Sequence, residues 1–453
     1  MPTHPQRRRR PSSRSRARPQ TDAGGGFLSG WADLVPDWLP QLPRRRGRKP
    51  RVPLDQILQA LTFHVAHGAG TLAEHFLELF EQPLADSSWS DRRQRLPWEI
   101  FADLMRRALR PVATRRRQPE AFWRGWRLLA LDGTQYSVIN TPQVAAIATK
   151  PITRRGRAAF VKLGVAVLLE IGVHNPLAAA IARQGESELA LARRLLAQLP
   201  KRALLLADRL YGVPAVMAEA WATCQRVQSH FLFRVPRHIR TRVIARLRDG
   251  SRRVRVQVPA PGRPGRHHEW EVREIRVQVG RKGFRRHDLR LCTSLLDPRT
   301  APALELARLY ASRWEHELYF RNTKRVLRRT ALLQSHTLET GAQEIAAIIL
   351  VTAMIARERA RAATGRAPVL RIKFAVALAI VRSTWFSLGP IEDLLTARQK
   401  AQIVQRGQAL MRRALTEPRR SRTNPRAVRQ PVTKWPRLMQ THSVEGPLQF
   451  SVV

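Results

Sequence analysis

Cysteine is nearly missing from this 453-residue chain: Cys224 and Cys292 are the whole complement. Two thiols cannot build a disulfide framework or a four-ligand zinc site, so the chain reads as a protein of a reducing cytoplasm. Acidic residues are scarce too. Asp and Glu number 34 against 81 Lys and Arg, which leaves a formal charge of +47. The apolar stretch Ile345 to Ala356 falls far short of the roughly 20 residues that cross a bilayer, so no membrane partner is expected. Behind the run Arg7 to Arg10 there is no apolar segment, which excludes a secretory signal. The Arg- and Ser-rich start resembles an organelle transit peptide in composition, but nothing else supports that reading. No Walker-type loop and no dinucleotide fingerprint occur, and Gly24-Gly25-Gly26 lacks the flanking strand and helix. No Gly-x-Ser-x-Gly is present, which argues against a serine hydrolase. His267-His268-Glu269 lacks the second histidine of a zinc-protease helix and reads as an exposed loop. What remains is positive charge, the footprint of a polyanion binder. An arginine-biased composition would inflate the count, but the charge is physical either way, and DNA or RNA is the partner it implies.

The most informative segment is Tyr310-Ala311-Ser312-Arg313-Trp314-Glu315-His316-Glu317, continuing to Lys324. On an ideal helix Tyr310, Arg313, Glu317 and Lys324 fall within roughly a 60° arc. One face then presents a carboxylate flanked by an aromatic hydroxyl and two cations, which suits a place where a metal ion and a polyanion meet. Glu315 points to nearly the opposite side, and His316 also faces away. The structural alternative is a solvated helix with an incidental salt bridge.

Two further segments bear on that choice. Leu128-Leu129-Ala130-Leu131 ends in Asp132-Gly133-Thr134, and Leu204-Leu205-Leu206-Ala207 ends in Asp208-Arg209-Leu210-Tyr211-Gly212. Short apolar runs bounded by turn signals read as strands buried on both faces. Each would deliver an aspartate at its C-terminal end, where sites form in open α/β sheets. With Glu317 they make an acidic triad of hard oxygen ligands suited to Mg²⁺ or Mn²⁺.

These motifs resemble those of DDE transposases of the insertion-sequence type, in the insertion sequence 4-like branch marked by Tyr-x2-Arg-x3-Glu-x6-Lys. All four signature residues are present at that spacing. Asp132-Gly133-Thr134 resembles the first catalytic motif of the family, and Asp208-Arg209-Leu210-Tyr211 the second. Thr293 to Pro298 with Leu306 to Leu309 resembles the run before its catalytic glutamate. The resemblance covers roughly residues 55 to 360. It implies Asp132, Asp208 and Glu317 as catalytic and metal-binding residues, two Mg²⁺ or Mn²⁺ ions, and Tyr310, Arg313 and Lys324 as DNA-binding residues. It also implies the terminal inverted repeats of an element and target DNA as partners, a homodimer on DNA, and a nucleoid-associated cytoplasmic protein. Many family members pass through a hairpin at the DNA end, helped by a stacking tryptophan. Trp270 lies inside the insertion described next, and its role stays open.

The expected fold is α/β: an RNase H-like mixed sheet with an inserted β-rich subdomain, preceded by a small helical domain and followed by helices. Residues 1–50 are rich in Arg, Pro, Ser and Gly and read as a disordered basic arm. Residues 54–111 read as a helical domain, either DNA-binding or a cap on the core. The catalytic domain spans 123–360, with strands at Val161 to Ile171 and Leu177 to Ile181 and a helix over Glu186 to Leu199. Its insertion covers about 230–292, where three stretches alternate. Helices follow to 416, either completing the core or pairing two protomers, and 417–453 form a basic tail. The function expected is metal-dependent DNA strand cleavage and joining. Two other readings stand beside it: a non-catalytic DNA-binding relative, domesticated or decayed, and an RNA-binding protein without enzymatic activity.

Overall fold

The computed structural model describes residues 27–35, 52–147, 150–153, 156–183, 185–259, 267–280, 287–365, 367–417 and 449–452. Most of the basic arm and tail, and the Gly/Pro turn at 261–265, lie outside the described residues.

Five helices open the chain: α1 (Phe27–Leu34), α2 (Leu54–His67), α3 (Leu72–Phe80), α4 (Asp86–Gln94) and α5 (Trp98–Ala108). Helix α1 falls within the arm expected to lack structure. Its Trp31 and Leu34, three apart on one face, are buried in the main core, and that burial holds the segment. Thr71 caps α3 in a reciprocal box with Glu74. Prolines 53 and 97 stand at the N-caps of α2 and α5, where no amide donor is needed from them.

The strands follow. The pair β1 (Phe122–Trp123) leads into the long β2 (Trp126–Val138), then α6 (Pro142–Ile147) and the short ribbon β3 (Ile152–Thr153) and β4 (Gly156–Arg157). After them come β5 (Val161–Glu170), β6 (Asn175–Ile181), α7 (Glu188–Leu196), β7 (Ala203–Ala207), α8 (Pro214–Arg226) and β8 (His230–Arg234). Side by side these strands run β6-β5-β2-β7-β8. Strand β5 is antiparallel to β2 and β6, whereas β7 and β8 run parallel to β2. That is the RNase H-like arrangement. The same sheet continues through the insertion as β12 (His287–Thr293), β11 (His267–Gly280), β10 (Arg252–Pro259) and β9 (Thr241–Arg246), all antiparallel. The insertion therefore extends the catalytic sheet.

Alternate residues of the central strands enter different cores. Leu128, Ala130, Leu204 and Leu206 face one, while Leu129, Leu131, Leu205 and Ala207 face the other, as the two-residue period of a strand demands. Helices α7 and α8 cover the second face. After the insertion, α9 (Ala303–Tyr310), α10 (Trp314–Arg321), α11 (Leu338–Ala362), α12 (Phe374–Leu388) and α13 (Ala397–Arg413) complete the chain, with β13 (Gln449–Val452) pairing to β11. Among the described residues only α11 is long and apolar enough to cross a membrane, but 94% of its most apolar window is buried inside the fold. It packs on α2, α5, β6 and α13, so its apolar surface belongs to the core and is not available for pairing protomers.

Candidate active site

Parallel pairing of β2 with β7 matches Leu131 to Ala207, so the next residues, Asp132 and Asp208, leave the ladder beside each other. The sequence suggested that both strands stop there. Only β7 does. β2 runs on to Val138 because β5 keeps pairing with it, from Asp132 opposite Val167 to Val138 opposite Val161. Asp132 thus sits mid-strand at the first position where the β7 side of the ladder is vacated.

Asp132 Oδ1 accepts the Gly133 amide at 2.9 Å, and its Oδ2 accepts from Arg313 at 3.2 Å. Asp208 folds back on its own turn, with Oδ1 accepting the Leu210 amide at 2.7 Å. Burial pushes the Asp132 carboxyl up to about 7; the Arg313 charge opposes that, and the charges of Asp208 and Glu188 add to it. The two aspartates therefore repel each other in a poorly solvated place, which is the electrostatic condition for drawing in a cation.

The signature helix is not uniform. It is α-helical to Tyr310, tightens to a 3₁₀ turn over Ala311–Arg313, returns to α over Trp314–Arg321 and widens to a π turn over Asn322–Leu327. Arg313 spans two carboxylates, donating to Asp132 and, at 3.0 Å, to Glu317 Oε1. Tyr310 is buried and its hydroxyl donates to the Ala207 carbonyl at 3.3 Å, next to Asp208. Lys324 Nζ donates to Thr134 Oγ1 at 2.6 Å and to the Gln135 carbonyl at 2.8 Å, and it lies 5.0 Å from the Tyr136 ring centroid. Burial, and then the charge of Lys162, lower its pKa.

All six residues expected from sequence therefore touch β2, β7 or their immediate continuations, or one another. Glu315 turns away to His174, at 2.7 Å. His316 is fully buried, bonds the Val167 carbonyl at 2.9 Å and is driven down to about 3 by burial, so its part is packing. Trp270 stacks on Trp221 of α8 with centroids 6.2 Å apart. Two residues escaped the sequence reading, Glu188 and Tyr211. Tyr211 stood inside the second aspartate motif, and Glu188 showed only as one position of an amphipathic helix.

Three carboxylates on three elements form a hard-oxygen donor set of the kind that divalent ions take. As they stand, no three Asp, Glu, His or Cys side chains among the described residues are grouped closely enough to hold a metal. The cation between Asp132 and Glu317 is the Arg313 guanidinium. The donor chemistry fits a divalent ion, and Arg313 holds the place that such an ion would contest. Beyond Asp208 an open groove of 1110 Å³ runs along the insertion, lined by Arg209, Arg234, Arg237, Arg276 and Arg290 among others.

Strand order and two aspartates side by side where the β2–β7 ladder ends define the class: an RNase H-like α/β domain. The family follows. A family model, the transposase DDE domain, matches residues 123–354, just over half of the chain, and the chain belongs to that family. The chain is also similar to the transposase InsG for insertion sequence element IS4 of Escherichia coli (strain K12), with 28% identity over 277 residues. That similarity covers 59% of each protein, so the chain spans less than two thirds of this relative's length.

Proposed function

We propose that this protein is a DNA transposase that cleaves and joins strands at the ends of an insertion element, with Asp132, Asp208 and Glu317 holding Mg²⁺ or Mn²⁺. The observation that carries this reading is the arrival of Asp132 and Asp208 on adjacent parallel strands, with Arg313 tying Asp132 to Glu317. When bound, two divalent ions supply an activated oxygen nucleophile and neutralise charge at the scissile phosphate. The chain's residues do the rest. Arg313 offers a planar fork that matches phosphate oxygens, and Lys324 a point charge held beside Thr134 on the strand of Asp132. Tyr310 secures the end of β7 through Ala207 and keeps Asp208 at its station. The arginine-lined groove offers the DNA backbone a continuous path away from Asp208. Coordinated cutting of two ends calls for two such sites, hence a homodimer on DNA, acting at the nucleoid in the cytoplasm.

The test is cleavage of a duplex carrying the element's terminal repeat, with and without Mg²⁺. Wild type should cut, while Asp132→Ala, Asp208→Ala and Glu317→Ala should each lose strand cleavage and keep end binding. Glu315→Ala, facing His174, is the control and should stay active. One observation favours a second reading, a non-catalytic DNA-binding relative: Arg313 neutralises Asp132 and Glu317 without any metal. End binding without cleavage at any Mg²⁺ or Mn²⁺ concentration would select that reading.

A further inference from the structure

Tyr211 is fully buried, and its hydroxyl donates to Glu188 Oε1 at 2.6 Å. Its backbone amide closes the turn that carries Asp208, donating to the Asp208 carbonyl at 3.3 Å. Glu188 stands in the first turn of α7, behind the Ser187 cap, whose side chain accepts the Ala190 amide at 3.3 Å. On its other side Glu188 lies flat against β2. A Cβ placed on Gly133 would sit 2.3 Å from Glu188 Cδ and 2.6 Å from Oε1, far inside contact distance. Gly133 directly follows Asp132, so its missing side chain makes the room in which Glu188 rests.

We propose that Glu188 is a positioning residue of this site: through Tyr211 it fixes the turn that carries Asp208, and through its seat on Gly133 it fixes that turn against the strand that carries Asp132. The geometry gives it two independent holds. One is a short charge-assisted hydrogen bond to a buried phenol, the stronger class of such bonds. The other is steric, since the carboxylate fills the gap over Gly133. Burial, then the Glu188 charge, keep the Tyr211 pKa well above its ordinary range, so the phenol remains a donor throughout the working pH range. Without Glu188 the phenol is a buried donor lacking its acceptor, and the Asp208 turn loses its brace. This inference rests on the functional reading above, in that the two aspartates are taken to share a divalent ion.

Mn²⁺ binding to the full chain, followed by electron paramagnetic resonance of the free ion, tests it without catalysis. Glu188→Ala and Tyr211→Phe should each weaken Mn²⁺ binding about tenfold, the loss expected when one charge-assisted hydrogen bond goes. Gly133→Ala, which expels Glu188 from its seat, should do the same. Glu188→Gln keeps an acceptor for the phenol and should restore binding to within about threefold of wild type. DNA-end affinity should be equal in all four variants, which separates a displaced brace from a misfolded domain. Wild-type Mn²⁺ affinity in Glu188→Ala or Tyr211→Phe would overturn the proposal. A Gln variant as weak as the Ala variant would overturn it as well, because the charge and not the hydrogen bond would then be the active element. If the Mn²⁺ pattern holds but wild type cuts no DNA, the functional reading fails and the brace stands.

Discussion

The two halves of the one sheet obey different rules. In the catalytic half, β7 is buried along its whole length and β5 along most of it, with cores on both faces. In the insertion, β9 is largely exposed and β10 buries Val254, Val256 and Val258 on one face only, while β11, where it joins β12, sends Val272 to one core and Ile275 and Val277 to the other. The other face of β10 carries cross-strand ion pairs to β11 such as Arg255–Glu269 at 3.5 Å. A charge on the solvated face is one of many. A charge in the catalytic half has to be partnered or it shifts its proton affinity, and that is where the site lies.

The sharpest way to break this contrast is at Glu170. It is fully buried, paired with Arg127, and accepts the amides of Val112 and Ala113 at 3.0 and 3.2 Å. Glu170→Ala should cost about 3–5 kcal/mol, because it strands a cation and two donors in the interior. Denaturant titration checks it, and a cost below that of a surface substitution would erase the difference between the halves.

Next in size is the pH dependence set by Asp132. Its carboxyl rises from 3.8 to about 7 on folding, so between those values the folded state binds the extra proton. Stability is then fully present below about pH 4 and declines as pH rises through about 7. Asp132→Asn, which cannot ionise, should exceed wild type by about 2 kcal/mol at pH 8 and lose that advantage near pH 4. Melting curves at both pH values without divalent ions measure it.

A smaller effect separates cations of equal charge. Lys324→Ala and Arg255→Ala each remove one positive charge, one beside Thr134 and one on the solvated face of the insertion. Lys324→Ala should weaken end binding about fivefold and lower the magnitude of the salt slope by about 0.9, the loss of one phosphate contact. Arg255→Ala should change neither appreciably. Equal losses would mean that only total charge matters. The smallest effect belongs to Glu269→Ala, which opens an exposed pair and should shift stability by no more than about 0.5 kcal/mol.

Much of this was legible in the sequence because the catalytic half is written in continuous apolar runs. Leu204 to Ala207, bounded by turn signals, reads as a strand buried on both faces, and the aspartate after it stands at the strand's C-terminal end. The signature spacing placed Arg313 and Glu317 together correctly. Other features lay beyond a local reading. The continuation of β2 past Asp132 depends on β5, a partner about 30 residues away, and Gly133 reads locally as a turn signal although Thr134, Tyr136 and Val138 favour a strand. Helix α1 is decided by tertiary burial of Trp31 and Leu34, against the disordered composition around it. The seat of Glu188 on Gly133 joins two elements, and no periodicity within either one reports it. Conversely, the insertion's alternation was plain, yet it did not say that β8 to β12 would extend the same sheet.

The uneven winding of the signature segment has a consequence for how the motif tolerates change. The 3₁₀ turn over Ala311–Arg313 overwinds the helix before Glu317, and the π turn over Asn322–Leu327 underwinds it after. The two departures oppose each other, which is why a count on an ideal helix still placed the four residues on one side. Losing one residue from the wide turn would let it relax to ordinary α winding. That deletion would swing Lys324 about the axis and leave Arg313 and Glu317 undisturbed. The number of residues between Glu317 and Lys324 is therefore a measure of phase, and a one-residue deletion there should separate the DNA grip proposed for Lys324 from the carboxylates while the fold survives.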